Sequence, residues 1–466
     1  ALPILIDAKM SPLAINKLQE QISEKFGLIS MMTIFMAFSS ILIDRGFGQA
    51  LIREQNVTQE DYSSVFYFNI ILGFMVYVVA YISAPAIAAF YNEPQLTDLV
   101  RVSFLALVLQ SFTVVQQAQL FKNVEFNKVF RISLVSVVIS GIIGIAVSVM
   151  YRNAWGLVAQ SLSFALLRTS LFWILNKWRP SLQFEWSSIM KYLKFSANVL
   201  GSHLMAAIAD NMANLFIGKA YSSTVLGNYS VPNKIQSTIS GTTSYSIHRV
   251  SYSVMATFQD DAERLRQYSQ KVVGMAFYII APIMLFLMIE ADDFFNIILA
   301  SEWSVAAHYF KYLCIIGGIF CFADINMDIL LVKNRADMVF RIEFVRKVLL
   351  VVVLFIGIRY DMEILLMILV AYNVFNAVFV SYFAGREIEF GLLSQAKAIL
   401  PTLVCLAVMG SLAYYLCQVD IDYRIRFTVN LLTAILVYSF ISFLMRNPYH
   451  SYLAETIKGY ARMLKQ

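Results

Sequence analysis

Two cations and three acids lie where a membrane-crossing helix does not ordinarily carry charge: Arg168, Lys234, Asp210, Asp324 and Asp328 each fall inside a long apolar stretch. An ionisable side chain near the middle of a bilayer costs about 2.5–3.5 kcal/mol on insertion scales, so such groups face a bundle interior or a water-filled cavity. A guanidinium fork matches phosphate oxygens two at a time, whereas an ammonium acts as a compact point charge. Arg168 and Lys234 therefore suit an anion crossing the membrane. The competing reading is structural, with each cation paired to an acid on another helix, as Lys234 with Asp210.

Asp210 reads as a proton or cation site, or as that partner of Lys234. At helical spacing Ser196, His203, Asp210 and Asn214 share one face, and Ser230, Lys234, Ser237, Gly241, Ser244 and His248 share another. A lone intramembrane histidine is more often hydrogen-bonded than catalytic, so His203 and His248 carry no assignment. Asp324 and Asp328 are four apart, in line with Cys314, Gly317 and Cys321. Close carboxylates trap a proton or cation, or they line a solvated funnel. Gln117 belongs to an amide-rich run with Gln110, Gln116 and Gln119, which suits sugar hydroxyls and suits helix-to-helix bonding equally. Arg45 and Arg53 lie within the turn IDRGFGQALIRE, where Asp44 and Arg45 either cap and pair at the interface or stand at the cytoplasmic mouth of a path. Gly46 and Gly48 allow a tight backbone there, but with no phosphate motif or strand following, this is not a nucleotide loop. The four cysteines lack metal spacing, so no metal site and no disulfide framework are expected.

The elements that must hold these residues are helices in lipid. With 59% hydrophobic residues, 14% charged residues and a mean hydropathy of +0.67, the 466-residue chain does not describe a water-soluble surface. Apolar runs long enough to cross a hydrocarbon core of about 30 Å recur from end to end. Their continuous apolarity excludes the alternation of a barrel, leaving helices as the only backbone that satisfies itself in lipid. About thirteen spans are expected. Most of the 36 Lys and Arg residues fall in alternate connections, which places those connections and the C-terminus on the cytoplasmic side. The net charge of +6 is thus a topology signal, and no nucleic-acid partner is expected.

The run FGLISMM, the turn DRGFGQALIRE, then FKNVEF, WGLVAQSL, WRPSLQF, LFIGK, LGNYS and FQDDAERLR stand in the order and spacing of a known family. The chain resembles the polysaccharide-exporting, Wzx-type flippases of the multidrug/oligosaccharidyl-lipid/polysaccharide (MOP) exporter superfamily, in their lipopolysaccharide and exopolysaccharide branch. The resemblance implies an all-α, polytopic transmembrane bundle of fourteen helices, with two pseudo-symmetric six-helix lobes around a central cavity. It divides the chain into a non-spanning tail at 1–26 in place of the family's first helix, an N-lobe at 27–176, a cytoplasmic loop at 177–194, a C-lobe at 195–384, two extra helices at 385–445 and an amphipathic tail at 446–466. Ala213 stands where the family usually has an Asp, so no role of that Asp transfers here.

The implied activity is translocation of an undecaprenyl-pyrophosphate-linked oligosaccharide across the bacterial inner membrane by alternating access, for O-antigen, capsule or exopolysaccharide synthesis. Lys234, Arg168, Arg45, Arg53 and Gln117 would line the substrate path, and Asp210, Asp324 and Asp328 would be the coupling or cavity acids. No cofactor is expected beyond an H+ or Na+ gradient. Partners would be the lipid-linked oligosaccharide, membrane lipids, and polysaccharide polymerase and chain-length or export proteins. The alternatives are a drug-cation antiporter of the same superfamily, whose cavity would favour carboxylates and aromatics, and a membrane glycan polymerase or ligase. Those enzymes place catalysis in a large periplasmic loop, and no connection here is long enough for one.

Overall fold

A chain dissolved in lipid should turn its large apolar side chains outward and its small or polar ones inward, the reverse of a soluble protein. The computed structural model describes residues 12–44, 47–54, 56–151, 153–299 and 303–453, and it has this inverted pattern. Every regular element among the described residues is an α-helix. The helices fall into two compact units, residues 1–227 and 228–466.

The first unit holds α1 (Pro12–Asp44), α2 (Phe47–Arg53), α3 (Gln59–Tyr91), α4 (Leu96–Ser103), α5 (Leu105–Ser111), α6 (Val114–Lys122), α7 (Phe126–Tyr151), α8 (Trp155–Leu175), α9 (Trp186–Ala220) and the first residues of α10 (Ser223–Thr257). The second unit holds the rest of α10 and then α11 (Ala262–Ile289), α12 (Ala291–Ile298), α13 (Ser304–Val332), α14 (Ala336–Gly357), α15 (Met362–Glu387), α16 (Leu392–Cys417) and α17 (Tyr423–Leu444). Nine helices among the described residues are long and apolar enough to cross a bilayer, and the bent set α4 to α6 adds a tenth. The expected stretches on α9, α10 and α14 are helical too, but polar residues such as Asp210 and Asn214, Lys234, or Arg341, Glu343 and Arg346 dilute their apolarity. Of segment 1–26, charged enough to be read as a tail, residues 12–26 form the first part of α1 and residues 1–11 lie outside the described residues.

α7 illustrates why these helices sit in lipid. Leu134, Val137, Val138, Ile142 and Ile145 are exposed, while Ser136, Ser140 and Gly144, at i, i+4 and i+8, are buried. Small residues on the inner face let α8 approach closely, which is how helices associate where burial of apolar surface gives no net drive. The same device works where α1 crosses the start of α10. A Cβ on Gly27 would lie 1.7 Å from the Ser223 carbonyl oxygen, and one on Gly227 would lie 1.8 Å from that of Ser23.

Termini follow from local chemistry. α3 begins with a capping box in which Thr58 and Asp61 satisfy each other's backbone, and it ends on Asn92 in the left-handed region, φ 58°. Between α5 and α6 the path bends by 43°. Thr113 Oγ1 turns back to the Gln110 carbonyl there, and α8 supplies two donors to the bend, Thr169 Oγ1 to Leu109 O at 3.0 Å and Trp173 Nε1 to Phe112 O at 3.1 Å. A broken helix in lipid needs such neighbours.

Candidate functional site

The bend between α5 and α6 determines where the first unit's polar side chains meet. It carries Gln117 toward α8, where Arg168 donates to Gln117 Oε1 at 2.7 Å. The guanidinium also lies 5.5 Å from the Phe172 ring and 5.9 Å from that of Phe164, so its positive charge is spread over aromatic faces as well as the amide. Two expected path residues on separate helices are thereby brought together. Two other amides of the run are used in joining elements: Asn176 Nδ2 donates to Gln119 Oε1 at 3.1 Å, and Gln116 Nε2 to Trp178 O at 3.4 Å. Gln117 also lines a cavity of about 150 Å³, with Gly48, Gln49 and Ile52 of α2.

On the opposite side of α2, Arg53 is exposed and its guanidinium lies 4.6 Å over the Phe195 ring. It lines a pocket of about 450 Å³ with Glu54, Asn56, Lys191 and Tyr192. Lys191 reaches Asp61 at 3.4 Å and Glu54 at 3.9 Å, and Tyr192 donates to Asp61 at 2.8 Å. This mouth offers two cations, of which Lys191 is shared with acids and Arg53 rests on an aromatic face. Arg45 lies outside the described residues. Asp210 is exposed on α9, and His203, two turns earlier on that helix, sits 3.3 Å from Gln49.

In the second unit Lys234 is exposed, on the face of α10 that also shows Ser237, Thr238 and Tyr245. No carboxylate among the described residues of its unit pairs with its ammonium. Pro232 is buried within the same helix, which continues through it. About four turns beyond Lys234, His248 Nδ1 meets Asp328 Oδ2 at 2.6 Å. Asp328 is buried while His248 is 42% exposed along its side chain, so the imidazole joins a hidden carboxylate to open surroundings. Asp324, one turn from Asp328, is within electrostatic reach of His248 and of Glu343, Arg346 and Lys347 on α14, where Arg346 and Glu343 form an ion pair. The two aspartates therefore share one polar cluster with His248. Sequence reasoning left His248 without a role, although it stands on the same helical face as Lys234.

No group of His, Cys, Asp and Glu among the described residues is arranged to hold a metal ion. The C-terminal amphipathic segment lies outside the described residues beyond Leu453.

Comparison with known proteins adds a family and a fold. Residues 22–308 match the family model described as "Polysaccharide biosynthesis protein". The chain is 28% identical over 309 residues to the teichuronic acid biosynthesis protein TuaB of Bacillus subtilis (strain 168), a match covering 65% of this chain and 63% of TuaB. It is 24% identical over 341 residues to the lipopolysaccharide biosynthesis protein WzxC of Escherichia coli (strain K12), covering 72% and 68%, and 22% identical to the succinoglycan biosynthesis transport protein ExoT of Rhizobium meliloti (strain 1021), covering 64% and 60%. The chain thus spans less than two thirds of the length of TuaB and ExoT that it matches. Among solved structures, the lipid II flippase MurJ in an inward closed conformation superposes with a TM-score of 0.71 at 13% identity, covering 92% of this chain and 93% of MurJ. An inward-facing multidrug resistance MATE transporter of the MOP superfamily gives 0.62, also at 13% identity, covering 83% and 97%.

Proposed function

This chain belongs to the polysaccharide biosynthesis protein family, and from that premise we propose that it is a flippase: it moves an undecaprenyl-pyrophosphate-linked oligosaccharide from the cytoplasmic to the periplasmic leaflet by alternating access. The observation that carries this reading is a polysaccharide-biosynthesis sequence family folded as a lipid flippase is folded, in a multi-pass membrane protein. Relatives named for lipopolysaccharide and succinoglycan synthesis support a glycan cargo.

The physical case rests on charge. A pyrophosphate must cross about 30 Å of hydrocarbon, and a path for it needs cations that are not already neutralised. Lys234 is such a cation within its unit, and Arg168, held by Gln117 and two rings, presents a planar fork. Arg53 and Lys191 at the mouth of the 450 Å³ pocket would receive the headgroup. The Asp324, Asp328 and His248 cluster is the place for a coupling proton or Na+. Transport of this kind makes and breaks no covalent bond, so the protein is not an enzyme in this reading. It resides in the bacterial inner membrane with its C-terminus in the cytoplasm and passes its cargo to polymerase and chain-length or export proteins.

Depleting the protein in its host tests the reading. Lipid-linked oligosaccharide should accumulate in the cytoplasmic leaflet while surface glycan declines, and Lys234→Ala at normal protein abundance should reproduce that state. Unchanged surface glycan after depletion would sink the proposal. Normal export by Lys234→Ala would remove only the assignment of that residue.

A further inference from the structure

The end of α11 and the last helix pair meet around three polar side chains withdrawn from solvent: Glu290 at 0%, Asn430 at 1% and Asp293 at 4% exposure. Asp293 is fully accounted for. Arg426 of α17 closes on it with Nε to Oδ2 and a terminal nitrogen to Oδ1, both at 2.6 Å, and its other terminal nitrogen goes to the Val419 carbonyl at 3.2 Å. That fork is neutral as a pair, so no cation is left for Glu290. The remaining charged and titratable neighbours do not supply one: Asp292 turns away to Lys311 at 2.8 Å, and the Cys417 thiol, bonded to the Ile289 carbonyl, lies near enough the Glu290 carboxyl to act on it as a weak neutral donor and not as a cation.

Glu290 Oε1 accepts from Asn430 Nδ2, which also donates to the Ala413 carbonyl at 2.8 Å. Two atoms then have no hydrogen-bond partner, Glu290 Oε2 and Asn430 Oδ1. A carboxylate has only acceptors and would leave the Asn430 oxygen unpaired and its own Oε2 with no donor stronger than the Cys417 thiol, whereas a carboxylic acid brings one donor to a place with one unused acceptor. We propose that Glu290 is a buried proton-binding site, whose acid form makes a two-bond ring with the Asn430 amide and so clasps α17 to the end of α11. In that ring Asn430 Nδ2 donates to Oε1 and the Glu290 hydroxyl donates to Oδ1, the proton coming from solvent.

Burial pushes the Glu290 carboxyl above its ordinary value of 4.5, and the charge of Asp293 adds to the rise, while the Asn430 bond, Arg426 and the Cys417 thiol oppose it. A carboxyl raised in the folded state binds its proton more tightly folded than unfolded. Its contribution to stability is therefore complete below the ordinary value and is lost as pH rises through the folded-state value. Attachment of the terminal pair α16–α17 becomes dependent on a proton.

Thermal unfolding of the full chain in detergent, measured from mildly acidic to mildly alkaline buffer, reads this out. The wild-type midpoint should fall with rising pH more steeply than that of Glu290→Gln, whose amide supplies the same donor and acceptor at every pH. Infrared difference spectra between mildly acidic and mildly alkaline buffer should contain a protonated-carboxyl band that Glu290→Gln abolishes and Asn430→Ala shifts. Parallel pH slopes for wild type and Glu290→Gln would overturn the proposal. So would an acid band that Asn430→Ala leaves in place, a result that stands even if Glu290→Gln does not fold.

Discussion

Removing the His248 imidazole would leave Asp328 as a buried carboxylate without the partner it holds at 2.6 Å. An unsatisfied buried acceptor costs about 1–3 kcal/mol, so His248→Ala should lower the unfolding midpoint clearly, and His248→Gln, which keeps a donor, should recover much of the loss. If the pair also serves coupling, His248→Gln should fold well yet export poorly, a split that separates the two roles. Gln117→Leu makes the matching test in the first unit. It withdraws an acceptor from the Arg168 guanidinium, and since Arg168 is half-buried its cost should lie toward the lower end of about 1.5–3 kcal/mol, measured by the same thermal assay. Both residues of that pair were visible in the sequence as charges and amides out of place in lipid. Their pairing was not, because it depends on a 43° bend that no proline or glycine marks; Ser111, Phe112 and Thr113 lie there. His248 was passed over for the opposite reason. Its helical face was legible, but the acid that gives it meaning lies 80 residues away on another helix.

At the scale of elements, the motifs that carried the family resemblance prove to be joints more than chemistry. FGLISMM and LGNYS contribute Gly27 and Gly227 to the crossing of α1 with the start of α10. The segment WRPSLQF is tied down on the start of α3, with Ser63 bonded to both the hydroxyl and the amide of Ser181, and Gln59 bonded to the Arg179 carbonyl and the Trp178 indole. FQDDAERLR supplies Asp261, which caps α11 by accepting from the Arg264 amide. Each expected apolar stretch was legible as a helix because lipid leaves the backbone no other solution, while the joints needed the three-dimensional contact to be understood. The glycine crossing yields a contrast that can be measured. Gly27→Ala and Gly227→Ala place a methyl group against backbone and should reduce membrane abundance and the unfolding midpoint. Gly201→Ala and Gly241→Ala meet nothing within 4 Å on their helices and should be neutral or raise stability by up to about 1 kcal/mol. Equal effects at all four positions would mean that the crossing contributes nothing to the fold.

For the whole molecule, the distribution of cations gives an orientation that labelling can test without any knowledge of the cargo. Around the turn between α6 and α7 stand Lys122, Lys128 and Arg131, whereas around the turn between α3 and α4 stand Glu93 and Asp98 and no cation before Arg101. Positively charged loops are retained on the cytoplasmic side, so the α6–α7 turn should lie inside and the α3–α4 turn outside. Asn123 and Gln95 are exposed in those two turns and accept a cysteine without loss of a buried contact. Three of the four native cysteines are buried, and Cys417, which is partly exposed, can be replaced beforehand by alanine. In intact cells whose outer surface has been made permeable, a membrane-impermeant maleimide should label Gln95→Cys at once. It should reach Asn123→Cys only after the inner membrane is opened. Because the bent α4–α6 set is traversed between the two labelled turns and α3 between Arg53 and the first of them, an exchange of the two labelling patterns would invert this part of the chain. The side proposed to receive the pyrophosphate at Arg53 and Lys191 would then face outward, and the direction of transport proposed above could not hold.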